Sequence, residues 1–255
     1  MRPAQQIREA LDRGDVVAGA LMTDQLWPEM VDYCGLAGLN YMVIDQEHGA
    51  FPDDRVATVC AVGRMADFAV LLRPIDCAYS TIRRAIDLGP CGLLLPGVES
   101  TADLDSVQNA VHMPPRGQRR PGGQGNYWVS DFTYDSWKRE VEDDFIVLPQ
   151  IETQEGLDNV DAIAAHPITT SIAIGPYDLS ASLGVCLQMD HPKSREAVAR
   201  IRQAGEKVGK TMWRIGDGPT LAAEGFRFIC VGEPIGFLKQ AMTAAVDATR
   251  KAVQS

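Results

Sequence analysis

The chain has 255 residues, 45% of them hydrophobic, and 34 acidic against 24 basic side chains for a formal net charge of −10. A chain of this length buries roughly three quarters of the surface its unfolded form exposes, which excludes a disordered chain or a small scaffold held by disulfide or metal staples. The acidic balance excludes a broad phosphate-binding face, because nucleic-acid affinity is mostly neutralisation of phosphates by cations, so nucleic acid is not expected as a partner.

The polar start Met1–Gln6 runs into an amphipathic stretch, without a signal peptide's apolar block, and no apolar run reaches membrane-spanning length. A cytoplasmic protein with no membrane partner is expected. Short apolar runs then recur, and they predict strands at Val16–Leu21, Tyr41–Ile44, Ala69–Leu72, Cys91–Leu95, Phe145–Leu148, Thr170–Ile174, Thr211–Ile215 and Arg227–Val231. Amphipathic segments separate them. In Asp76–Gly89, for example, Asp76 can cap a helix, Ile82, Ala85 and Ile86 form its apolar stripe, and Gly89 suits its exit. Strand followed by helix, repeated eight times, implies right-handed βαβ units and favours one (β/α)8 barrel over residues 1–255. No G-x-G-x-x-G follows the first strand, which argues against a dinucleotide-binding sheet. The Pro-, Gly- and Arg-rich stretch 113–136 reads as a loop insertion over the active face or at a subunit contact. The last segment, Ile235–Val253, carries Leu238, Ala241, Met242, Ala245 and Val246 on one stripe and reads as the eighth barrel helix closing the core.

Six cysteines lie scattered, mostly in apolar runs, at no zinc or redox spacing; they read as buried, reduced core residues. His112, His166 and His191 lie near prolines in loop-like sequence and read as surface groups. Lys138, Lys193, Lys207, Lys210, Lys239 and Lys251 all fall in polar or helical segments. None sits at a strand end, where a Schiff-base mechanism would need one.

Barrel chemistry sits at the carboxyl ends of the strands. There the chain places Asp45-Gln46-Glu47-His48-Gly49, Arg73-Pro74, Gln150-Ile151-Glu152-Thr153 and Gly175-Pro176-Tyr177-Asp178-Leu179-Ser180. By strand alternation Gln150 and Glu152 share one side and Ile151 the other. Glu152 with Asp178 makes a two-carboxylate set suited to Mg²⁺ or Mn²⁺; Glu152 can equally pair with Arg73 or cap the next helix. His48 is either a satisfied structural histidine or a base perturbed by Asp45, Glu47 and Arg73. Arg73 is either a salt-bridge partner or a stabiliser of developing oxyanion charge.

These blocks, with Ile86-Asp87-Leu88-Gly89 and Leu94-Leu95-Pro96-Gly97-Val98 in the same order, closely resemble the HpcH/HpaI aldolase family. The resemblance implies a metal-dependent class II pyruvate aldolase that cleaves or forms 4-hydroxy-2-oxo acids, from a 2-oxo acid and an aldehyde, through a metal-bound enolate. It assigns the metal, Mg²⁺ or Mn²⁺ with Co²⁺ or Zn²⁺ as substitutes, to Glu152 and Asp178. It gives Gln150 contact with the 2-oxo acid, and its carboxylate to the backbone around Gly175, Tyr177 and Asp178. His48 becomes the general base, Asp87 the residue that orients it, and Arg73 the stabiliser of enolate or alkoxide charge. It also implies a C-terminal helix exchanged between subunits in a hexamer built as three dimers. Two departures bear on substrate choice: Tyr177 stands where the family usually has alanine, and the aromatic insert Arg119–Trp128 is longer than usual. Three other readings stay open. One is a CoA-thioester lyase of the citrate lyase β-subunit type, with Arg116, Arg119 and Arg120 forming a cationic groove. The others are an oxaloacetate-decarboxylating synthase and a non-catalytic 2-oxo-acid-binding barrel.

Overall fold

A computed structural model describes residues 1–254. Eight parallel strands close in sequence order, β1 pairing with both β2 and β8, so the chain is a (β/α)8 barrel. A first helix, α1 (Arg2–Asp12), lies across the entry ends of the strands: its Arg8 guanidinium donates to the Asp144 and Phe145 carbonyls and to Thr170 Oγ1. Then β1 (Val17–Met22) leads to α2 (Met30–Leu36), β2 (Tyr41–Asp45) to α3 (Asp53–Met65), β3 (Ala69–Arg73) to α4 (Tyr79–Asp87) and β4 (Gly92–Leu95) to α5 (Thr101–Val111). A single 3-10 turn (Gln124–Trp128) and α6 (Tyr134–Trp137) precede β5 (Ile146–Ile151), which is followed by α7 (Gln154–Asp158) and α8 (Val160–Ala165). The last units are β6 (Ile172–Ile174) with α9 (Pro176–Ser182) and α10 (Pro192–Lys207), β7 (Met212–Ile215) with α11 (Gly218–Ala223), and β8 (Phe228–Cys230) with α12 (Pro234–Gln254).

All eight predicted strands are present, and β5 is the one that differs in a way that matters. The apolar run that predicts it ends at Leu148, before a proline that has no N–H to give to a ladder. The strand nevertheless continues: Pro149 sits opposite Leu95, and Gln150 and Ile151 pair with Ala173 and Ile174. That extension carries Gln150 to the rim.

Aromatic rings fill the barrel near its entry end. Tyr41 meets Phe228 edge-on at 5.0 Å between centroids, and Trp213 Nε1 donates to its hydroxyl at 2.8 Å. Tyr41 therefore faces inward, and alternation along β2 turns Val43 and Asp45 the same way. The edge-on ring pair is the floor; the polar rim lies two residue layers above it.

Three expectations are corrected. His112 and His166 are buried at 5% and 8% exposure, because their loops fold under the barrel. His166 Nδ1 accepts the Ile168 amide, while burial beside Arg116 pushes the His112 imidazole down to about 4. Among the cysteines, Cys186 is exposed and Cys77 half-buried, the other four being buried; all six are free thiols. Helix α12 does not close the core: residues 236–253 are exposed throughout, including Phe237, Leu238, Met242 and Val246. No helix among the described residues is long and apolar enough to cross a membrane.

Candidate active site

The parallel register sets Asp45 of β2 directly beside Arg73 of β3. Arg73 Nε and Nη2 donate to Asp45 Oδ1 and Oδ2 at 2.9 and 2.7 Å, and its Nη1 lies 3.2 Å from Glu47 Oε2. Asp45 also accepts from Thr23 Oγ1 at 3.1 Å and from the backbone amides of Glu47 and His48 at 3.0 and 3.3 Å. A buried carboxylate thus shapes the turn that presents Glu47 and His48. Burial works against the Asp45 charge, yet the bonds from Arg73 and the His48 amide bring its carboxyl below the usual range. Burial likewise opposes the Arg73 charge, and Asp45 more than offsets it. Glu47, half-buried, is pushed up by desolvation against the pull of Arg73 and His48. The turn itself needs Gly49, since a Cβ there would overlap the Asp45 carbonyl and crowd the Thr23 carbonyl at 2.8 Å.

Across the barrel, Gln150 and Glu152 emerge together at the end of β5, 4% and 7% exposed. Gln150 Nε2 donates to Glu152 Oε2, and the Gly97 amide donates to Glu152 Oε1. Gly175, ending β6, leaves room for both side chains: any Cβ there would overlap the Glu152 carboxylate and the Gln150 amide. Its own amide donates to the Ile151 carbonyl at 3.2 Å, so Gly175 contributes space, whereas the amides of Tyr177 and Asp178 open the first turn of α9 without helical acceptors. Thr153, not Glu152, caps the next helix, its Oγ1 accepting from Gly156 at 3.0 Å. Desolvation, together with Glu47 and Asp178, raises the Glu152 carboxyl to about 7 against the Gly97 bond and the pull of Arg73. A cavity of about 490 Å³ opens beside it, bounded by Glu47, Ile75, Gly97 and Glu152.

The structure therefore brings Glu47, Arg73, Gln150, Glu152 and Gly175 to one rim with Asp178 close enough to act on the Glu152 and Glu47 charges. His48 joins them from an exposed turn, its ring 59% accessible and Nε2 3.8 Å from Glu47 Oε2. The Tyr177 ring is exposed.

Asp87 is not among them. It is the last residue of α4, and helices run back toward the strands' entry ends, so it lies at the face opposite His48. There its carboxylate holds the buried Arg119 at 2.9 Å, and Gly123 packs against its backbone. The insert 113–136 follows a helix rather than a strand, and it packs at this same face: Arg64 stacks on Tyr127 and Trp128, and Trp128 Nε1 donates to the Gly89 carbonyl. It does not cover its own chain's rim. Arg116 pairs with Glu142 and Asp143 at 2.9 and 3.1 Å in the same region, so Arg116 and Arg119 form no cationic groove at the rim.

Sequence reasoning passed over three positions that build the site: Thr23 at the end of β1, Gly97 with φ 57° presenting its amide to Glu152, and Ser182, whose Oγ accepts the Gln154 amide at 2.9 Å and ties α9 to the β5 loop. Thr23 was legible as the residue two after Leu21, on the inward phase of β1.

The rim suits a hard divalent cation. Gln150 Oε1 is buried without a hydrogen-bond partner, and Glu152 is a desolvated carboxylate beside two other acids. Among the described residues no cluster of three or more His, Cys, Asp or Glu side chains has a metal-binding arrangement. A cation held by Glu152 and Asp178 would take two carboxylate oxygens from the chain and leave the rest of its shell to water and substrate oxygens, as oxygen-preferring cations accept.

A family model for HpcH/HpaI aldolase/citrate lyase matches residues 24–233. The chain belongs to that family. It is 30% identical over 221 residues to the hydroxypyruvate/pyruvate aldolase of Pseudomonas aeruginosa, covering 81% of this chain and 78% of the relative. With the 2-keto-3-deoxy-L-rhamnonate aldolase of Salmonella dublin it shares 29% over 97% of its own length and 94% of the relative's. The crystal structure of an HpcH/HpaI aldolase from Desulfitobacterium hafniense DCB-2 superposes with a TM-score of 0.87 at 25% identity, covering 95% of this chain and 96% of that one. These relatives are aldolases, and this family member is an enzyme of the carbon–carbon lyase class.

Proposed function

We propose that the chain is a divalent-cation-dependent aldolase that cleaves and forms 4-hydroxy-2-oxo acids, with pyruvate or a related 2-oxo acid and an aldehyde on the other side of the equilibrium. The observation that carries this reading is the Glu152 carboxylate, buried beside an unpartnered amide oxygen and raised to about 7, at a rim that also holds a fixed guanidinium. Both relatives are named for 2-oxo acids, which supports the same reading. Glu152 and Asp178 would hold Mg²⁺ or Mn²⁺, which when bound supplies the Lewis acid that withdraws electrons from the 2-oxo group.

The remaining chemistry falls to the chain's own side chains. Gln150 orients the 2-oxo acid, and the first-turn amides of Tyr177 and Asp178 receive its carboxylate. His48 takes the 4-hydroxyl proton on a ring nitrogen as the C3–C4 bond breaks, the C4 carbonyl forms and the electron pair passes toward the 2-oxo group. A base so placed contributes roughly 10²- to 10⁴-fold. Arg73, held rigid by Asp45, offers its remaining N–H donors to the oxygen that gains negative charge. Arg116 and Arg119 are engaged by Glu142, Asp143 and Asp87, which leaves only Arg120 of the three arginines that a CoA-thioester lyase would use and favours the free-acid aldolase.

Asp87 cannot orient His48 within one chain, so in this reading a second copy supplies it. The exposed apolar stripe of α12 supports an assembly in which that helix packs on a neighbouring subunit, in a hexamer of three dimers. The test is pyruvate release from a 4-hydroxy-2-oxo acid before chelation, after it, and after Mg²⁺ or Mn²⁺ is restored. Undiminished activity in chelator, or a lysine adduct trapped with pyruvate by borohydride, would overturn the reading. Pyruvate release from oxaloacetate with and without aldehyde separates an aldolase from a decarboxylating synthase.

A further inference from the structure

Beyond His48 and Arg73 the rim opens into a second cavity, about 620 Å³, between the start of α3 and the face of α4 from Ser80 to Ala85. Its near side is made by the residues that directly follow the two candidate catalytic groups, Gly49–Pro52 after His48 and Pro74-Ile75 after Arg73. Ile75 lines both this cavity and the one at Glu152, and it is 61% exposed, so the two spaces meet around a single side chain. A 4-hydroxy-2-oxo acid with its 2-oxo head at Gln150 and Glu152 and its 4-hydroxyl at His48 has to send its remaining carbons past His48. The space on that side is this cavity.

The lining says what kind of chain it suits. Phe51 and Pro74 give apolar surface for the carbon stem. Facing them, Ser80 and Thr81 in the first turn of α4 present hydroxyls that no group among the described residues engages. At the far side Arg84 Nε donates to Asp53 Oδ2 at 2.8 Å, and Asp53 Oδ1 accepts from Gln46 at 3.0 Å. An unpaired arginine would favour a carboxylate-ended chain. A paired one offers donors and acceptors with no net charge, which matches a hydroxyl, a group that both donates and accepts.

We propose that this cavity is the acceptor subsite, and that it selects aldehydes bearing hydroxyls over unsubstituted or carboxylate-ended aldehydes of the same length. The inference rests on the aldolase reading above. Two measurements keep the two separable: exchange of pyruvate methyl protons with deuterated water, which needs no acceptor, and kcat/KM for glyceraldehyde against propionaldehyde and an aldehyde of equal length ending in a carboxylate. The double variant Ser80→Ala, Thr81→Val is expected to retain proton exchange and propionaldehyde turnover while losing about tenfold in kcat/KM for glyceraldehyde, the size of one or two lost neutral hydrogen bonds. Equal losses for both aldehydes, or none, with exchange intact would overturn the subsite. A wild-type preference for the carboxylate-ended aldehyde would overturn the selection rule. Absence of exchange in the wild type with Mn²⁺ present would overturn the aldolase reading and the subsite with it. Should the double variant fail to fold, Ile75→Trp at an exposed position narrows the same passage; it is expected to slow glyceraldehyde more than the two-carbon glycolaldehyde, and equal fold-losses for the two would overturn the assignment.

Discussion

Replacing Arg73 with alanine strands Asp45. That carboxylate is wholly buried and Arg73 itself is 7% exposed, and the guanidinium supplies two of its hydrogen bonds, at 2.9 and 2.7 Å. Removing one partner of such a pair costs about 3 to 5 kcal/mol, because the remaining charge stays desolvated. For a chain of this size that lowers Tm by roughly 6 to 20 °C. The loss has a pH signature. In the wild type the Asp45 carboxyl lies below its ordinary value, so its contribution is present above the unfolded value and is lost as pH falls through the folded one. In Arg73→Ala, burial acts without its counterweight and lifts the folded value above the unfolded one. The variant is then most handicapped at neutral and alkaline pH, and the gap to wild type closes as pH falls toward 4.

Urea unfolding followed by tryptophan fluorescence, with Trp137 and Trp213 both buried in the fold, measures this at several pH values. Arg73→Lys should fall between the two, since it keeps the charge and loses the planar fork. Asp45→Asn in the Arg73→Ala background should restore part of the stability while leaving activity low, which separates the structural duty of Arg73 from its catalytic one. A loss below about 1 kcal/mol, well under what a buried pair is worth, or one independent of pH, would refute the idea that this ion pair organises the rim.

The other expectations concern the cation and the assembly. Glu152→Gln should abolish Mn²⁺-dependent pyruvate release while leaving the fold intact by circular dichroism, because it removes a charge that the apo protein holds at a cost. The wild-type Glu152 carboxyl, raised to about 7, stabilises the apo fold below the unfolded value and loses that contribution as pH rises through 7, a span worth about 3 kcal/mol. Calorimetric scans should accordingly show Mn²⁺ raising Tm more at pH 8 than at pH 6; a pH-independent shift would mean the cation binds elsewhere. His48→Ala and Asp87→Asn chains, each inactive alone, should regain at most about a quarter of wild-type activity when refolded together, through mixed two-fold pairs with one complete site. No recovery in a demonstrated mixed oligomer would remove Asp87 from the site.

The strand rhythm was readable because each strand of a closed parallel barrel is buried on both faces and shows as a continuous apolar run. The rim was readable too, since polar groups at the ends of such runs have few other reasons to be there. What the strand pattern did not carry was whatever depends on the ends of helices. The insert 113–136, expected over the active face or at a subunit contact, follows α5 and so falls at the face opposite the rim, and Asp87, which only the family resemblance joins to His48, ends α4 at that same face. Helix α12 read as a core-closing element because an apolar stripe marks a face suited to packing without saying what it packs on, and in this fold it does not pack on its own barrel. His112 and His166 looked like surface groups because proline-rich loops usually are; here those loops fold under the strands' entry ends. The Asp45–Arg73 pair needed the register between β2 and β3, which neither strand carries alone.

That pair and Glu152 also explain how an acidic protein can draw in an anionic substrate. Asp45, Glu47, Glu152 and Asp178 face a single guanidinium, and that guanidinium is already bound to Asp45 and near Glu47. A 2-oxo carboxylate approaching this rim meets repulsion from the carboxylates nearby as well as from a net charge of −10. Burial and the neighbouring carboxylates raise the Glu152 carboxyl to about 7, the kind of perturbation that marks a candidate ligand site. In the proposed reading, a divalent cation held by Glu152 and Asp178 would reverse the sign of the local field where the 2-oxo group is placed. The cation is therefore expected to bind first, and the substrate's charge to complete a neutralisation that the protein leaves unfinished.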